Sequence, residues 1–374
     1  MYPDENLRFL TRQSCSNFYK LVHDLKNHPC CLALGAGASA TVGLPTWSHL
    51  LKRICHCYFK QWALKISSGK ASAIYPPSEV SIALTNSYDS YIYEKEHPEV
   101  QISDEVFFNV EYFINGRKLS DEETRKQNEK FKKSHELIRQ LQDDFMEKIM
   151  AGDLTVIAQM VKNQVRPSDW NYLIRKSIYA SYEDDPYILR ISSLYRELIE
   201  LVRNKGISTI INYNFDDTFY HALKEHGLRY KNCYENAPIT GKERIYYPHG
   251  YIPMKGGVTT DIVICEDDYQ NHIYQQNLWA NSIQTVTLSS HSCIFVGLSL
   301  NDSNIRRIIN MCSHARRYMH YAFLPSSDEN QASMMCDGLC DSDLYRLGIR
   351  VIRYPSENNH RKLTGLIHQL GDIS

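Results

Sequence analysis

From Ser208 onward, short apolar runs alternate with helix-length amphipathic segments, and that alternation limits the fold to one class. Strand-length runs occur at 208–211, 245–248, 261–264, 293–296, 320–324 and 349–353. Helical periodicity lies between them at 217–226, about 267–289, 302–314 and 329–347, and again at 359–370. Strands joined through helices run parallel, and helices then cover both faces of the sheet. The expected class is α/β.

An earlier piece belongs to the same sheet. Cys30–Leu34 reads as a buried strand and breaks into Gly35-Ala36-Gly37-Ala38-Ser39, where minimal side chains allow close backbone approach. Gly43-Leu-Pro-Thr46-Trp47 then leads into a periodic helix reaching about residue 63. A strand, a glycine turn and a helix start would aim free N–H groups at one spot, which suits a phosphate. Ser39 is placed to help cap the following helix. A tight structural turn explains the same residues, since the third glycine of the dinucleotide fingerprint is missing.

Between this strand and Ser208 the pattern is helical, with a loose stretch over 65–116. Ser120-Asp-Glu-Glu123 reads as a capping box opening a charged helix to about residue 150. Further helices are expected over 154–165, 168–182 and 187–204. The expected organisation is therefore 1–63, an N-terminal helix plus the first strand-turn-helix; 64–204, a helical insertion; and 205–374, the rest of the sheet.

Composition excludes several function classes. A net charge of -1 supplies no field to draw in nucleic acid or an anionic membrane. No apolar run approaches the ~20 residues of a membrane span, and the polar start Met-Tyr-Pro-Asp-Glu-Asn does not read as a signal peptide. Eleven cysteines, mostly in apolar patterns and without paired Cys-x2-Cys spacing, point to reduced thiols and no structural zinc. A cytoplasmic protein is expected.

Four loops fall at the carboxyl ends of predicted strands, where an open α/β sheet binds its ligand. They are Gly35–Ser39, Asn212-Tyr-Asn214-Phe-Asp216-Asp217, Pro248-His249-Gly250 and Gly297-Leu-Ser299-Leu-Asn-Asp302. Each has a structural alternative: Asn214 can bond its own turn, Asp216 can cap a helix, and His249 can be a satisfied core histidine.

Taken in order, these segments resemble the successive signatures of sirtuin-like domains, over about residues 28–60 and 205–325. The resemblance implies a Rossmann-like parallel sheet with a large helical insertion. It implies that Gly35, Ala36, Gly37, Ser39, Thr46 and Trp47 contact NAD+ around its pyrophosphate. Asp216 would lie near the nicotinamide ribose, and Gly297 and Ser299 near the adenosine. Asn214 and His249 would be catalytic, Asn214 orienting ribose hydroxyls or water and His249 acting as base. Sirtuin deacylases carry a four-cysteine zinc module after the histidine, whereas only Cys265 and Cys293 stand between His249 and Gly297. No zinc is expected. The sequence is closer to bacterial sirtuin-like NAD hydrolases of anti-phage defence, which have enlarged helical inserts. That branch implies NAD+ glycohydrolase activity, homo-oligomers and a regulatory partner such as a HerA-like ATPase. The same residues also fit an NAD- or ADP-ribose-binding sensor without turnover, or an NAD-dependent protein deacylase.

Overall fold

The structure is a computed structural model that describes residues 7–67, 113–114, 117–118, 120–182, 191–235, 241–256, 260–274, 279–312, 317–327 and 330–373. The chain divides into two compact units, Met1–Trp47 with Ser181–Ser374, and Ser48–Ala180. The strands in chain order are β1 (Cys30–Leu34), β2 (Phe113–Ile114), β3 (Arg117–Lys118), β4 (Thr209–Asn212) and β5 (Lys231–Cys233), then β6 (Arg244–Tyr246), β7 (Ser292–Val296), β8 (His320–Pro325) and β9 (Ile349–Tyr354). β2 and β3 form a small antiparallel hairpin. The other seven form one wholly parallel sheet in the order β5-β6-β4-β1-β7-β8-β9.

Around this sheet lie α1 (Arg12–Asn27), the single-turn α2 (Ala36–Ala40) and the start of α3 (Trp47–Ser67). The second unit contributes α4 (Asp121–Met150), α5 (Leu154–Lys162) and α6 (Pro167–Ile178). The sheet unit resumes with α7 (Ser193–Lys205), α8 (Thr218–Glu225), α9 (Glu266–Tyr274) and α10 (Trp279–Ser290), and ends with α11 (Ser303–Cys312), α12 (Gln331–Arg346) and α13 (Glu357–Asp372). The fold is α/β and Rossmann-like, as the strand-helix alternation requires.

The central strands read as unbroken apolar runs because they are covered on both faces. Cys31 and Ala33 of β1 join Phe295 of β7 and Ala322 of β8 in one buried cluster with Leu288 of α10, Ile305 and Ile308 of α11, and Leu344 of α12. At the β9 edge, α1 is tied to the sheet by Asn17, whose amide donates to the Val351 carbonyl at 2.8 Å, and by Ser14, whose hydroxyl accepts from Arg353 N at 2.9 Å. α7 and α13 pack on each other, and Leu198 of α7 and Leu366 and Ile367 of α13 are fully buried.

Two expectations along this unit fail for identifiable reasons. Residues 261–264 are buried over Ile262–Ile264 but form no strand. They run beside the loop after β6, bonded through Val263 N to His249 O at 2.9 Å and Thr260 N to Tyr251 O at 3.1 Å. Their apolar character reports burial rather than sheet membership. Conversely β5 carries no apolar run; the sequence Lys-Asn-Cys pairs with β6 at the sheet edge, where one apolar residue suffices. The long helix expected over 267–289 is represented by α9 and α10, with 275–278 outside the described residues. The sheet unit also takes in α7, which the sequence groups with the insertion.

Within the second unit, α4 starts on the expected capping box, with Ser120 Oγ accepting from Glu123 N and the Glu123 carboxylate accepting from Ser120 N. Its buried face brings Gln142 Nε2 to His56 Nδ1 at 2.7 Å and Phe145 against Phe59 at 5.4 Å between ring centres. Arg53 donates to the Ser177 carbonyl at 3.1 Å, which satisfies a buried guanidinium at the end of α6. The loose stretch over 65–116 lies almost wholly outside the described residues.

Candidate active site

The sheet order places a topological switch beside β1: the chain leaves β1 towards β4 on one side, while β7 pairs with it on the other. Crevices of this kind, at the carboxyl ends of the strands, are where α/β sheets bind ligands. The loops after β1 and β7 meet there. Gly35 N donates to Val296 O at 3.0 Å and Gly37 N to Gly297 O at 2.9 Å. A Cβ on Gly35 would stand 2.5 Å from Gly297 O, and one on Gly297 would stand 2.3 Å from Ala38 N. The glycines are thus required by the approach of the two loops to each other.

This corrects the expectation of a spray of free N–H groups. The amides of Gly35, Gly37 and Ala38 are all bonded within the fold, that of Ala38 to Gly35 O at 2.9 Å. Ser39 is likewise not a cap. It lies inside α2, and its side chain turns to the loop after β4.

There Ser39, Asp216, Thr218 and Tyr195 close a ring of buried oxygens. Ser39 Oγ donates to Asp216 Oδ2 at 2.9 Å and lies 3.2 Å from Tyr195 Oη. Tyr195 Oη lies 3.0 Å from Thr218 Oγ1, which donates to Asp216 Oδ1. Thr218 N donates to the same Oδ1 at 3.0 Å. Ser39 and Thr218 each donate to the Asp216 carboxyl group, and the Tyr195 hydroxyl is left to donate to one of them. Burial raises the Asp216 pKa above the ordinary carboxylate value, against the lowering effect of its hydrogen bonds to Thr218 and Ser39. Tyr195→Phe removes one ring proton and one acceptor, and should lower stability by about 1–2 kcal/mol in urea unfolding.

Asn214 is held by this ring. Its Nδ2 donates to Ser39 Oγ at 2.8 Å, and its backbone N donates to Asn212 Oδ1 at 3.1 Å. Because the Ser39 proton is committed within the ring, Asn214 must present its NH2 to Ser39 and turn Oδ1 away. Oδ1 takes no hydrogen bond among the described residues and is not sealed from solvent. The adjacent Asp217 has a different job: its carboxylate accepts from Met254 N at 2.9 Å and Tyr251 Oη at 3.3 Å, pinning the loop after β6 to the loop after β4.

That second loop carries His249, which is 5% exposed. Tyr213, next to Asn214 in sequence, lies edge-on to its ring at 5.2 Å, and Tyr269 of α9 does so at 6.3 Å. Gly250 adopts φ +105°, and a Cβ there would stand 2.5 Å from Asp261 O, so the turn after His249 admits only glycine. Burial lowers the His249 pKa below the ordinary imidazole value, opposed by the Asp302 carboxylate. His272 of α9 is pushed down to about 4, first by burial and then by His249. Both imidazoles are therefore neutral at pH 7. Unfolding lets them protonate below about pH 6.5, so their contribution to stability is present above that value and is lost as pH falls towards 4. Urea midpoints measured at pH 7 and pH 4.5 should show this loss, and His249→Phe should reduce it.

Of the remaining expected residues, Trp47 reaches the same place. Trp47 meets Tyr269 edge-on at 6.4 Å, and Thr46 and Ala36 are half-buried. Ser299 is exposed, and its hydroxyl accepts from Asn301 N at 3.4 Å. Tyr195, Thr218 and Tyr269 join the site without having been expected there. Tyr195 lies 156 residues from its partner Ser39, and no local pattern separates it from other helical tyrosines. Asp217 and Asp302 stood inside the loop motifs and could have been assigned as loop anchors. Asp302 Oδ1 accepts from Asn304 N and Ile305 N at the start of α11, and Oδ2 accepts from Tyr269 at 3.1 Å.

Residues 208–339 match the family model for a SIR2-like domain, about a third of the chain, from the start of β4 into α12. This stretch is similar to SIR2-like domains. It contains Asn214, Asp216, His249, Gly297 and Ser299, and leaves the β1 loop outside the match. No curated protein matches the chain. Among the described residues there is no group of three or more His, Cys, Asp or Glu side chains placed to hold a metal ion. No helix among them is long and apolar enough to cross a membrane.

Proposed function

We propose that the chain hydrolyses the N-glycosidic bond of NAD+, releasing nicotinamide and ADP-ribose. The carrying observation is Asn214, whose amide is fixed by the Ser39–Asp216–Thr218–Tyr195 ring with Oδ1 open, in a SIR2-like domain that supports NAD-directed chemistry. The bond breaks with its electron pair passing to the pyridinium nitrogen, and the water oxygen takes its place at the ribose carbon. One water proton must leave. Asn214 Oδ1 accepts a hydrogen bond from that water or from a ribose hydroxyl, and the neutral His249 imidazole receives the proton. Because burial keeps His249 neutral, kcat/KM should hold its plateau below pH 6.5 and fall only at more acid pH. A profile breaking at pH 7 or above would remove His249 from this role.

The direct test is incubation of purified protein with NAD+, with nicotinamide and ADP-ribose followed by chromatography. Stoichiometric release of both supports hydrolysis. Saturable NAD+ binding without release favours the sensor reading, and absence of both overturns the proposal. Uncontrolled NAD+ hydrolysis would kill a host cell, so the reading includes control by self-association or a protein partner such as a HerA-like ATPase. Light scattering that finds an active lone monomer would remove that clause.

A further inference from the structure

Three buried side-chain atoms around the rear of the site have no hydrogen-bond partner among the described residues: His249 Nε2, His272 Nδ1 and Asn304 Nδ2. Buried polar groups are satisfied in native proteins with few exceptions, and ordered water is the usual partner where protein groups are absent.

The three side chains are held around one cluster. Tyr269 and His272 stand three residues apart on α9 and so share a helix face. Tyr269 meets the His249 ring and donates to Asp302, whose other oxygen receives Asn304 N. Arg307 closes the cluster, donating through Nη2 to Asn304 Oδ1 at 2.8 Å, to the His272 carbonyl at 3.2 Å and to Asn281 Oδ1 at 3.1 Å. Since arginine only donates, Asn304 must face it with Oδ1, which turns Nδ2 away from the guanidinium.

We propose that one ordered water is bound behind His249, joined to His249 Nε2, His272 Nδ1 and Asn304 Nδ2, and that His272 and Asn304 position the His249 imidazole through it. The donor and acceptor pattern closes. The water accepts from Asn304 Nδ2–H and from His249 Nε2–H, and donates to the lone pair on His272 Nδ1. Two neutral imidazoles are required, and the buried surroundings provide them. With the proton of His249 fixed on Nε2, its Nδ1 keeps the lone pair. Nδ1 is the nitrogen that is not sealed from solvent, and it is the one a base would use. The charged and titratable groups facing the two imidazoles are Asp302, Tyr269, Tyr213, Asp268 and Arg307. The positioning role rests on the glycohydrolase reading, whereas the water site does not.

The first readout uses the wild-type protein alone. A high-resolution crystal structure should show a water within hydrogen-bonding distance of His249 Nε2 and His272 Nδ1, and 15N-histidine spectra should show His249 as its Nε2–H tautomer. A site without water, or an Nδ1–H tautomer, overturns the proposal. His272→Leu should shift the His249 tautomer population and lower kcat about tenfold with KM unchanged. His272→Asn, which keeps an amide near the Nδ1 position, should recover most of both losses. An unchanged tautomer in His272→Leu overturns the positioning role. If wild-type protein does not turn over NAD+, the glycohydrolase reading fails while the water and tautomer readouts still decide this one.

Discussion

Asn214→Ala should cut nicotinamide release from NAD+ by about a thousandfold, the scale expected when one preorganised polar group is removed from a reacting centre. The fold should survive. The lost protein contact is a single hydrogen bond to Ser39 Oγ, worth about 1 kcal/mol, and the oxygen ring behind it keeps its other contacts. Release assayed beside a urea unfolding curve separates the two effects. Asn214→Asp gives a sharper test, because it replaces the donor facing Ser39 with an acceptor while retaining the shape. It should lose activity as completely as alanine. Turnover within tenfold of wild type in either variant would remove Asn214 from the chemistry.

Gly297→Ala carries the largest expected effect on stability. Its φ of +72° already disfavours a side chain, and the new Cβ would stand 2.3 Å from Ala38 N and 2.9 Å from Gly37 C. These are backbone atoms, so neither can swing aside, and the loops after β1 and β7 must part. Strain and overpacking together should cost about 4 kcal/mol, read as a lowered urea midpoint for the sheet unit. Gly206→Ala supplies the control. That residue caps α7 at φ +61° but has nothing within 4 Å of a Cβ, so only the backbone penalty of about 1–2 kcal/mol applies. Equal losses in the two variants would show that loop packing contributes nothing.

The comparison of these glycines also shows how far sequence reasoning reached. Gly35, Gly37 and Gly297 were legible as places where something must come close, because only glycine leaves that room. What comes close was not legible. It is the other glycine loop, 260 residues away, and it takes up amides that a local reading assigns to a phosphate. Ser39 shows the same limit: a serine after a glycine turn looks like a cap, yet its hydroxyl serves Asp216 and Asn214 across the crevice.

The sequence by itself determined the parallel α/β sheet, since alternating strand and helix periodicities leave no other way to bury both sheet faces. It also determined which loops line the crevice, because the carboxyl ends of the strands follow from chain direction alone. Tertiary structure decided the rest. Strand order set the switch beside β1, and tertiary packing brought Ser39 and Tyr195 against the Asp216–Thr218 turn and Tyr269 against His249. These contacts join segments far apart in the chain, where neither propensity nor spacing carries information. Burial and hydrogen bonding then fixed what local residue identity leaves free: the neutral state of His249, the direction of the Asn214 amide, and the closing of three hydroxyls around one carboxyl group.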